Sequence, residues 1–311
     1  MEEIDVLLAT YNGEMFIEKF LESLAGQEHV NIHLIVSDDG STDSTLEIVK
    51  RNQSNFQKLT IINGPRKGPM ANFFYLLRNS SRNFVALADQ DDIWNKDHLK
   101  NSIERIRNDQ LPSMTYTSVI EFDDREETRK IWPINYMGPE FPSIFFENTA
   151  RGCTIVLNRH AIELINVKEP KHAVMHDWWI LLLLQLYGKV RFEPVPELEY
   201  RLHENNYVGV SHLKALRFIR TIQKGSWLPV DQVREILDYP ETKFQKIDTF
   251  DIEQFVGHLE SNLFIRFTRI SCMKGARFRQ TFPDEIKIRL GIILFRALDR
   301  NRSTDQQIEV I

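Results

Sequence analysis

The chain predicts an α/β protein with a mostly parallel central sheet flanked by helices, followed by a helical C-terminal extension. Three observations carry this. Strand-type and helix-type patterns alternate from Ile4 to Ala88, an order that builds parallel strands joined by crossover helices. The apolar strand Phe84–Ala88 runs directly into Asp89-Gln90-Asp91-Asp92. Beyond Asn206 the strand patterns fade and amphipathic helical spacing takes over.

The elements follow in order. Ile4–Ala9 reads as a buried strand, then the loop Thr10-Tyr11-Asn12-Gly13, then a helix with Phe16, Phe20, Leu21 and Leu24 at helical spacing. Ile32–Val36 is the second strand and enters Ser37-Asp38-Asp39-Gly40-Ser41; Ser44 and Glu47 stand at capping-box spacing for the next helix. Leu59–Ile62 is the third strand, followed by the Gly64–Gly68 loop and a helix around Asn72–Leu77. Past residue 110 the rhythm loosens. Met114–Ile120 and Cys153–Leu157 read as strands around polar and aromatic loop material, Trp178–Tyr187 as an apolar helix, and Val195–Arg201 as strand-like. Leu213–Ile222, Leu259–Ile270 and Ile286–Leu298 have the spacing of amphipathic helices. These patterns set the expected division at 1–206 and 207–311.

Composition narrows the class. The 311 residues suffice for one large α/β domain plus an appendage. Two cysteines, Cys153 and Cys272, have neither zinc-site spacing nor a disulfide framework, which fits a reducing cytoplasm. Residues 1–20 carry acids and a strand pattern in place of a basic-then-apolar leader. The longest apolar run, Trp178 to Leu184, is too short to cross a bilayer. Residues 1–206 hold 22 basic and 31 acidic side chains, whereas 207–311 hold 17 and 13, and 261–302 alone hold 10 and 3. An acidic first part argues against nucleic-acid binding. A basic tail has the charge for peripheral contact with an anionic membrane face, although an apolar stripe of this kind also packs on a neighbouring domain.

If the strand-end loops share one sheet edge, they line one pocket, where open α/β folds bind ligands. Three carboxylates within Asp89–Asp92 repel one another unless a cation sits among them, and oxygen ligands suit Mg²⁺ or Mn²⁺. Neither Gly-x-Gly-x-x-Gly nor Gly-x-x-x-x-Gly-Lys-Ser/Thr is present. Any phosphate is therefore expected to be met by metal and basic side chains such as Arg66 and Lys67, not by a glycine loop.

Thr10-Tyr11-Asn12-Gly13, Ser37–Asp43 and Asp89–Asp92, in this order and spacing, resemble the family 2 glycosyltransferases with the GT-A fold. Asn72-Phe73, Gly152-Cys153-Thr154, His176-Asp177-Trp178-Trp179 and Tyr200–Asn206 are similar to the rhamnosyltransferase branch of that family. The resemblance implies a Rossmann-like catalytic domain over 1–206, with a nucleotide-sugar half at about 1–110 and an acceptor half at about 111–206. It implies a nucleotide-sugar donor, dTDP-L-rhamnose as the leading expectation, and a growing bacterial glycan or lipid-linked acceptor. Asp177 would be the base. Thr10, Asn12, Asp38, Asp39, Lys67, Asn72, Asp89 and Arg201 would meet the donor, and Asp91, Asp89 and His203 a divalent metal, Mn²⁺ or Mg²⁺. Trp178, Trp179 and Gly152 would face the acceptor sugar.

Departures and rivals are visible too. Leu202 and Glu204 stand where the branch often has Gln and Gly, which leaves a UDP-hexose donor open. A nucleotide-sugar-binding protein without turnover has no need of Asp91 and Asp177. A nucleotidyltransferase would call for a glycine-rich basic loop after the first strand. Asp177 also stands where helices take an N-cap Asp, and at least one of the two tryptophans is expected in the core.

Overall fold

The computed structural model describes residues 1–123, 126–133, 143–203 and 230–240, with single positions at 253–254, 257–258 and 286. The chain forms β1 (Glu2–Thr10), α1 (Ile17–Ala25), β2 (Val30–Asp38), α2 (Thr45–Arg51), β3 (Lys58–Asn63), α3 (Pro69–Arg78), β4 (Phe84–Ala88) and β5 (Ile93–Trp94). It continues with α4 (His98–Ile106), β6 (Ser113–Thr117), β7 (Val119–Asp123), β8 (Glu126–Trp132), β9 (Val156–Asn158), α5 (Arg159–Ile165), α6 (His176–Tyr187), β10 (Lys189–Glu193), β11 (Leu198–Arg201) and α7 (Val230–Leu237).

Seven strands make the main sheet in the order β10-β6-β9-β4-β1-β2-β3. Its pairs are parallel except those of β9, which runs antiparallel between β4 and β6. From β1 the chain steps outward to β2 and β3, then returns to place β4 on the other side of β1. Strand order reverses there, and a crevice opens beyond the carboxyl ends of β1 and β4. Thr10 pairs with Asp38 across β1 and β2, and Leu8 with Ala88 across β1 and β4, so the loops after all three strands emerge side by side.

Alternating side chains bury both faces of the sheet, as a parallel sheet requires. Leu7, Val85 and Leu87 pack with Phe73, Leu77 and Trp179 of α3 and α6. Val6, Leu8, Ala86 and Ala88 pack on the opposite face with Phe20 and Leu24 of α1 and Ile103 of α4. Val233 and Ile236 of α7, beyond the expected boundary at 206, join the α3–α6 cluster, and the Tyr239 hydroxyl reaches the carbonyls of Leu164 (3.0 Å) and Ile165 (3.2 Å).

A second sheet, β5-β11-β7-β8, stands beside the loop after β4, which Arg201 of β11 contacts. It accounts for the main departures from the expected elements. The single strand expected over Met114–Ile120 breaks at Ser118, whose N–H donates to the Glu193 carbonyl at 2.9 Å. β6 stays in the main sheet while β7 turns into the second one. Within the expected strand Cys153–Leu157, Gly152–Thr154 forms a 3₁₀ turn and β9 starts only at Val156. The capping box does not form, because Ser44 makes no side-chain cap. Glu14 accepts from the Ser44 N–H at 2.9 Å and Asp43 from the Thr45 N–H at 3.1 Å. The helices expected over Leu213–Ile222, Leu259–Ile270 and Ile286–Leu298, and the basic stretch 261–302, lie outside the described residues apart from Ile286. Among the described residues no helix is long and apolar enough to cross a membrane.

Candidate active site

The left wall of the crevice is a network of loop contacts. Asp38 accepts from the N–H groups of Gly40 (3.0 Å) and Ser41 (2.8 Å) and from the hydroxyls of Thr10 (2.9 Å) and Ser41 (2.6 Å). Asp39 reaches across to the β3–α3 loop and accepts from the N–H of Arg66 (2.8 Å) and of Gly68 (2.9 Å). Gly64 is required by this crossing, since a Cβ there would stand 2.5 Å from the Asp39 carboxylate. The Asn12 side chain accepts from the Thr42 N–H at 2.9 Å. Tyr11 is pinned through its backbone by the Gln90 amide, with both bonds at 3.0 Å, which leaves its ring 59% exposed at the mouth.

The right wall is acidic. Asp89, Asp92 and Cys153 bring ligand atoms within 4.8 Å of one another. The buried Oδ2 of Asp92 has no hydrogen-bond partner. Burial, then the charges of Asp91 and Asp177, push Asp89 up to about 7 against the pull of Arg151. Burial and repulsion by Asp91 and Asp89 raise Asp92 as well. The side chains of His203 and Asp91 meet at 2.7 Å. β11 achieves this by running beside the acidic loop, with the Arg201 N–H on Asp92 (3.2 Å) and the Arg201 Nε on the Asp91 carbonyl (2.9 Å).

Above these acids α6 begins. Its N-cap is Met175, so Asp177 is the second helical residue and not the cap; its Oδ1 accepts from the Trp178 N–H at 2.7 Å. His176 stacks on Phe73 at 4.0 Å between centroids, and a Cβ on Gly152 would stand 2.7 Å from its Nε2. Arg151 pairs with Glu121 and lies between the rings of Trp132 (4.3 Å) and Tyr200 (4.2 Å). One crevice thus holds crowded carboxylates, a separate carboxylate at a helix start and a rigidly held guanidinium.

A family model described as "Glycosyl transferase family 2" matches residues 5–163, the span that builds β1 through β9 and the acidic loop. The chain belongs to this family. It is 30% identical over 217 residues, 66% of its length and 74% of the other's, to the dTDP-rhamnosyl transferase RfbG of Shigella flexneri. Among solved structures it is similar to Staphylococcus aureus TarS 1–349 in complex with UDP-GlcNAc, with a TM-score of 0.57 and 16% identity over 96% of this chain and 92% of that one. It is also similar to the mannosyltransferase PcManGT of Pyrobaculum calidifontis in complex with GDP-Man and Mn²⁺, with a TM-score of 0.55 and 15% identity over 99% of this chain and 80% of that one. The fold is that of the GT-A glycosyltransferases.

In this glycosyltransferase several residues expected to line the site lie behind it. Trp179 is 0% exposed and faces the core near Tyr239, which corrects its expected place at the acceptor sugar. Trp178 gives its indole N–H to the Ile144 carbonyl at 2.7 Å. Asn72 is 1% exposed, and its amide donates to the Ser37 carbonyl at 2.9 Å, so it braces the β2 end and does not reach a donor. Arg201 is 2% exposed, stacked over Phe16 and Phe122, and holds the acidic loop from behind. Gly152 is buried, and its missing side chain lets α6 approach. Thr10 and Asp38 are consumed by each other and by their loop. Asn12, Asp39, Lys67, Asp89, Asp91, His203 and Asp177 stay on the crevice rim, Lys67 exposed. Asp92 and Tyr11 were expected only as members of their loop motifs, with no role of their own, and Arg151 was not expected at all.

Asp89 and Asp91 offer oxygen and His203 offers nitrogen, a donor set that fits a hard divalent cation, and the unpaired Oδ2 of Asp92 stands among the same crowded acids. A pH dependence follows. Asp89 holds its proton up to about pH 7 in the fold but releases it near 3.8 when unfolded. Stability of the metal-free protein should therefore fall as pH rises through that window. Mn²⁺ held by Asp89 would replace the proton, so the gain in melting temperature on adding it should be larger at about pH 8 than at about pH 5. A gain equal at both values would contradict this.

Proposed function

We propose that the protein moves a sugar, L-rhamnose from dTDP-L-rhamnose before others, onto a hydroxyl of a growing bacterial surface glycan or lipid-linked glycan. The observation that carries the chemistry is the placement of Asp177, at the start of α6, near enough to the acidic loop after β4 for its charge to act on Asp89. The donor's diphosphate would lie toward Asp89 and Asp91, and its base against the exposed ring of Tyr11 beside Asp39. Asp91, Asp89 and His203 would hold Mn²⁺ or Mg²⁺, which when bound neutralises charge on the departing nucleoside diphosphate.

The chain's own residues do the rest. The acceptor hydroxyl attacks the anomeric carbon, and Asp177 takes its proton as the new C–O bond forms. The old bond to phosphate breaks, and its electron pair leaves with the nucleoside diphosphate. Attack from the face opposite the leaving group inverts the anomeric centre. Arg151, immobilised between two rings and Glu121, supplies fixed positive charge beside the carboxylates at no further ordering cost. The N-terminal part of the chain would thus form the donor half and the part from β6 onward the acceptor half of one catalytic domain. No more than peripheral contact with a membrane is required for a lipid-linked acceptor.

The rhamnosyl donor rests on the likeness to a dTDP-rhamnosyl transferase and on the sequence Tyr200–Asn206. The likeness to TarS favours a UDP-sugar as the second reading. Thermal-shift measurement in Mn²⁺ separates them, since a ligand that selects the folded state raises the melting temperature. At matched concentrations dTDP-L-rhamnose should protect more than UDP-GlcNAc, UDP-glucose or UDP-galactose. Greater protection by a UDP-sugar would overturn the rhamnosyl donor and leave the reaction type in place.

A further inference from the structure

α7 reaches the approach to Asp177 by polar contacts that packing alone does not need. Between α5 and α6 the chain runs through 166–175 without regular structure. Its N–H groups have no ladder to join. Three of them end on one face of α7. Glu235 accepts from the Lys171 N–H (3.0 Å) and the His172 N–H (2.9 Å), and also meets His172 Nδ1 (3.2 Å) and Lys168 Nζ (3.0 Å). Gln232 accepts from the Val174 N–H at 2.8 Å. Gln232 and Glu235 are three apart, hence neighbours on one helix surface, and both are buried. Val233, Ile236 and the Tyr239 hydroxyl fasten the same helix to α5 and α6.

Val174 precedes the N-cap of α6 by one residue, and Asp177 follows three residues after it. The direction in which α6 starts decides where the Asp177 carboxylate stands relative to Asp89. We propose that Gln232 and Glu235 are positioning residues for transfer, clamping the 168–174 segment so that Asp177 holds its place over the acidic loop. The proposal rests on the reading of Asp177 as the base. A carboxylate suits the clamp because it offers several acceptor positions to converging N–H groups, and Lys168 with His172 balances its charge. Burial alone would push Glu235 up, but Lys168 and the backbone donors outweigh it and hold the group ionised. A base displaced by about an ångström loses rate without losing donor affinity.

The test compares Glu235→Ala, Glu235→Gln, Gln232→Ala and Asp177→Asn in the full-length protein. Three readouts are taken: amide hydrogen exchange over residues 168–178, dTDP affinity in Mn²⁺, and the rate of dTDP release from dTDP-L-rhamnose. In Glu235→Ala the Lys171 and His172 amides should lose protection and the rate should fall about 10- to 100-fold, with dTDP affinity unchanged. Glu235→Gln, which keeps an acceptor, should recover most of that rate. Gln232→Ala removes a single acceptor, and Val174 protection and part of the rate should go with it even if Glu235→Ala folds poorly. Unchanged protection, or lost protection with a rate within about twofold of the unaltered protein, would overturn the clamp. If Asp177→Asn is inactive while the α7 variants are normal, the clamp fails and the base stands. If Asp177→Asn turns over normally, the base reading fails. The positioning role for transfer then fails with it, whatever protection the α7 variants lose.

Discussion

Asp177→Asn should bind the donor almost as tightly as the unaltered protein and turn it over about 10²–10⁴-fold more slowly, the usual contribution of a general base. Asparagine keeps the size of the side chain, and its amide oxygen can still accept from the Trp178 N–H. The fold at the start of α6 should therefore persist. Because Met175 and not Asp177 is the N-cap, a helix-capping role cannot account for a loss of rate. Product formation and donor affinity measured on one purified sample separate the outcomes. Near-normal turnover would remove Asp177 from the chemistry.

Asp91→Ala should abolish metal-dependent donor binding and lower turnover by about 10³-fold, since a cation at a transferring diphosphate contributes several kcal/mol to the transition state. The substitution frees His203 from its contact with the carboxylate but leaves the Asp91 carbonyl to receive Arg201. The loop should keep its shape, and the melting temperature of the metal-free variant should be unchanged or slightly higher, because one of the charges that raise Asp89 and Asp92 is gone. The checks are turnover across Mn²⁺ concentration and a melting curve with and without the ion. Full activity of this variant would remove Asp91 from the metal site.

Much of this arrangement was legible before any coordinates. The run Phe84–Ala88 is apolar at every position, as a strand buried on both faces must be, and it ends in acids crowded closely enough to mark the site. The alternation from β1 to β4 fixed the common edge of the three loops. Asp177 was legible only through its setting in His176–Trp179. What stayed hidden depends on distant partners. β5 has two residues; it is defined by pairing across the chain, as Trp94 with Leu198, and carries no period of its own, whereas β11 falls within the stretch Val195–Arg201 that reads as strand-like. Burial of Arg201 and Asn72 runs against their polarity and follows from a carbonyl waiting in another segment. Trp178 and Trp179 are adjacent, and only the helix phase set by packing sends Trp179 wholly into the core. The helix carrying Gln232 and Glu235 lies between the helices expected beyond residue 206 and was not among them, and the backbone N–H groups it holds leave no mark in the pattern of side chains.

The most direct test of metal-assisted nucleotide-sugar binding at this crevice is a calorimetric titration of the unaltered protein with dTDP and with UDP, in Mn²⁺ and in chelator. Saturable binding of at least one nucleotide in Mn²⁺, weakened about tenfold or more by the chelator, is expected. Binding indifferent to the metal, or absent for both nucleotides, would contradict it.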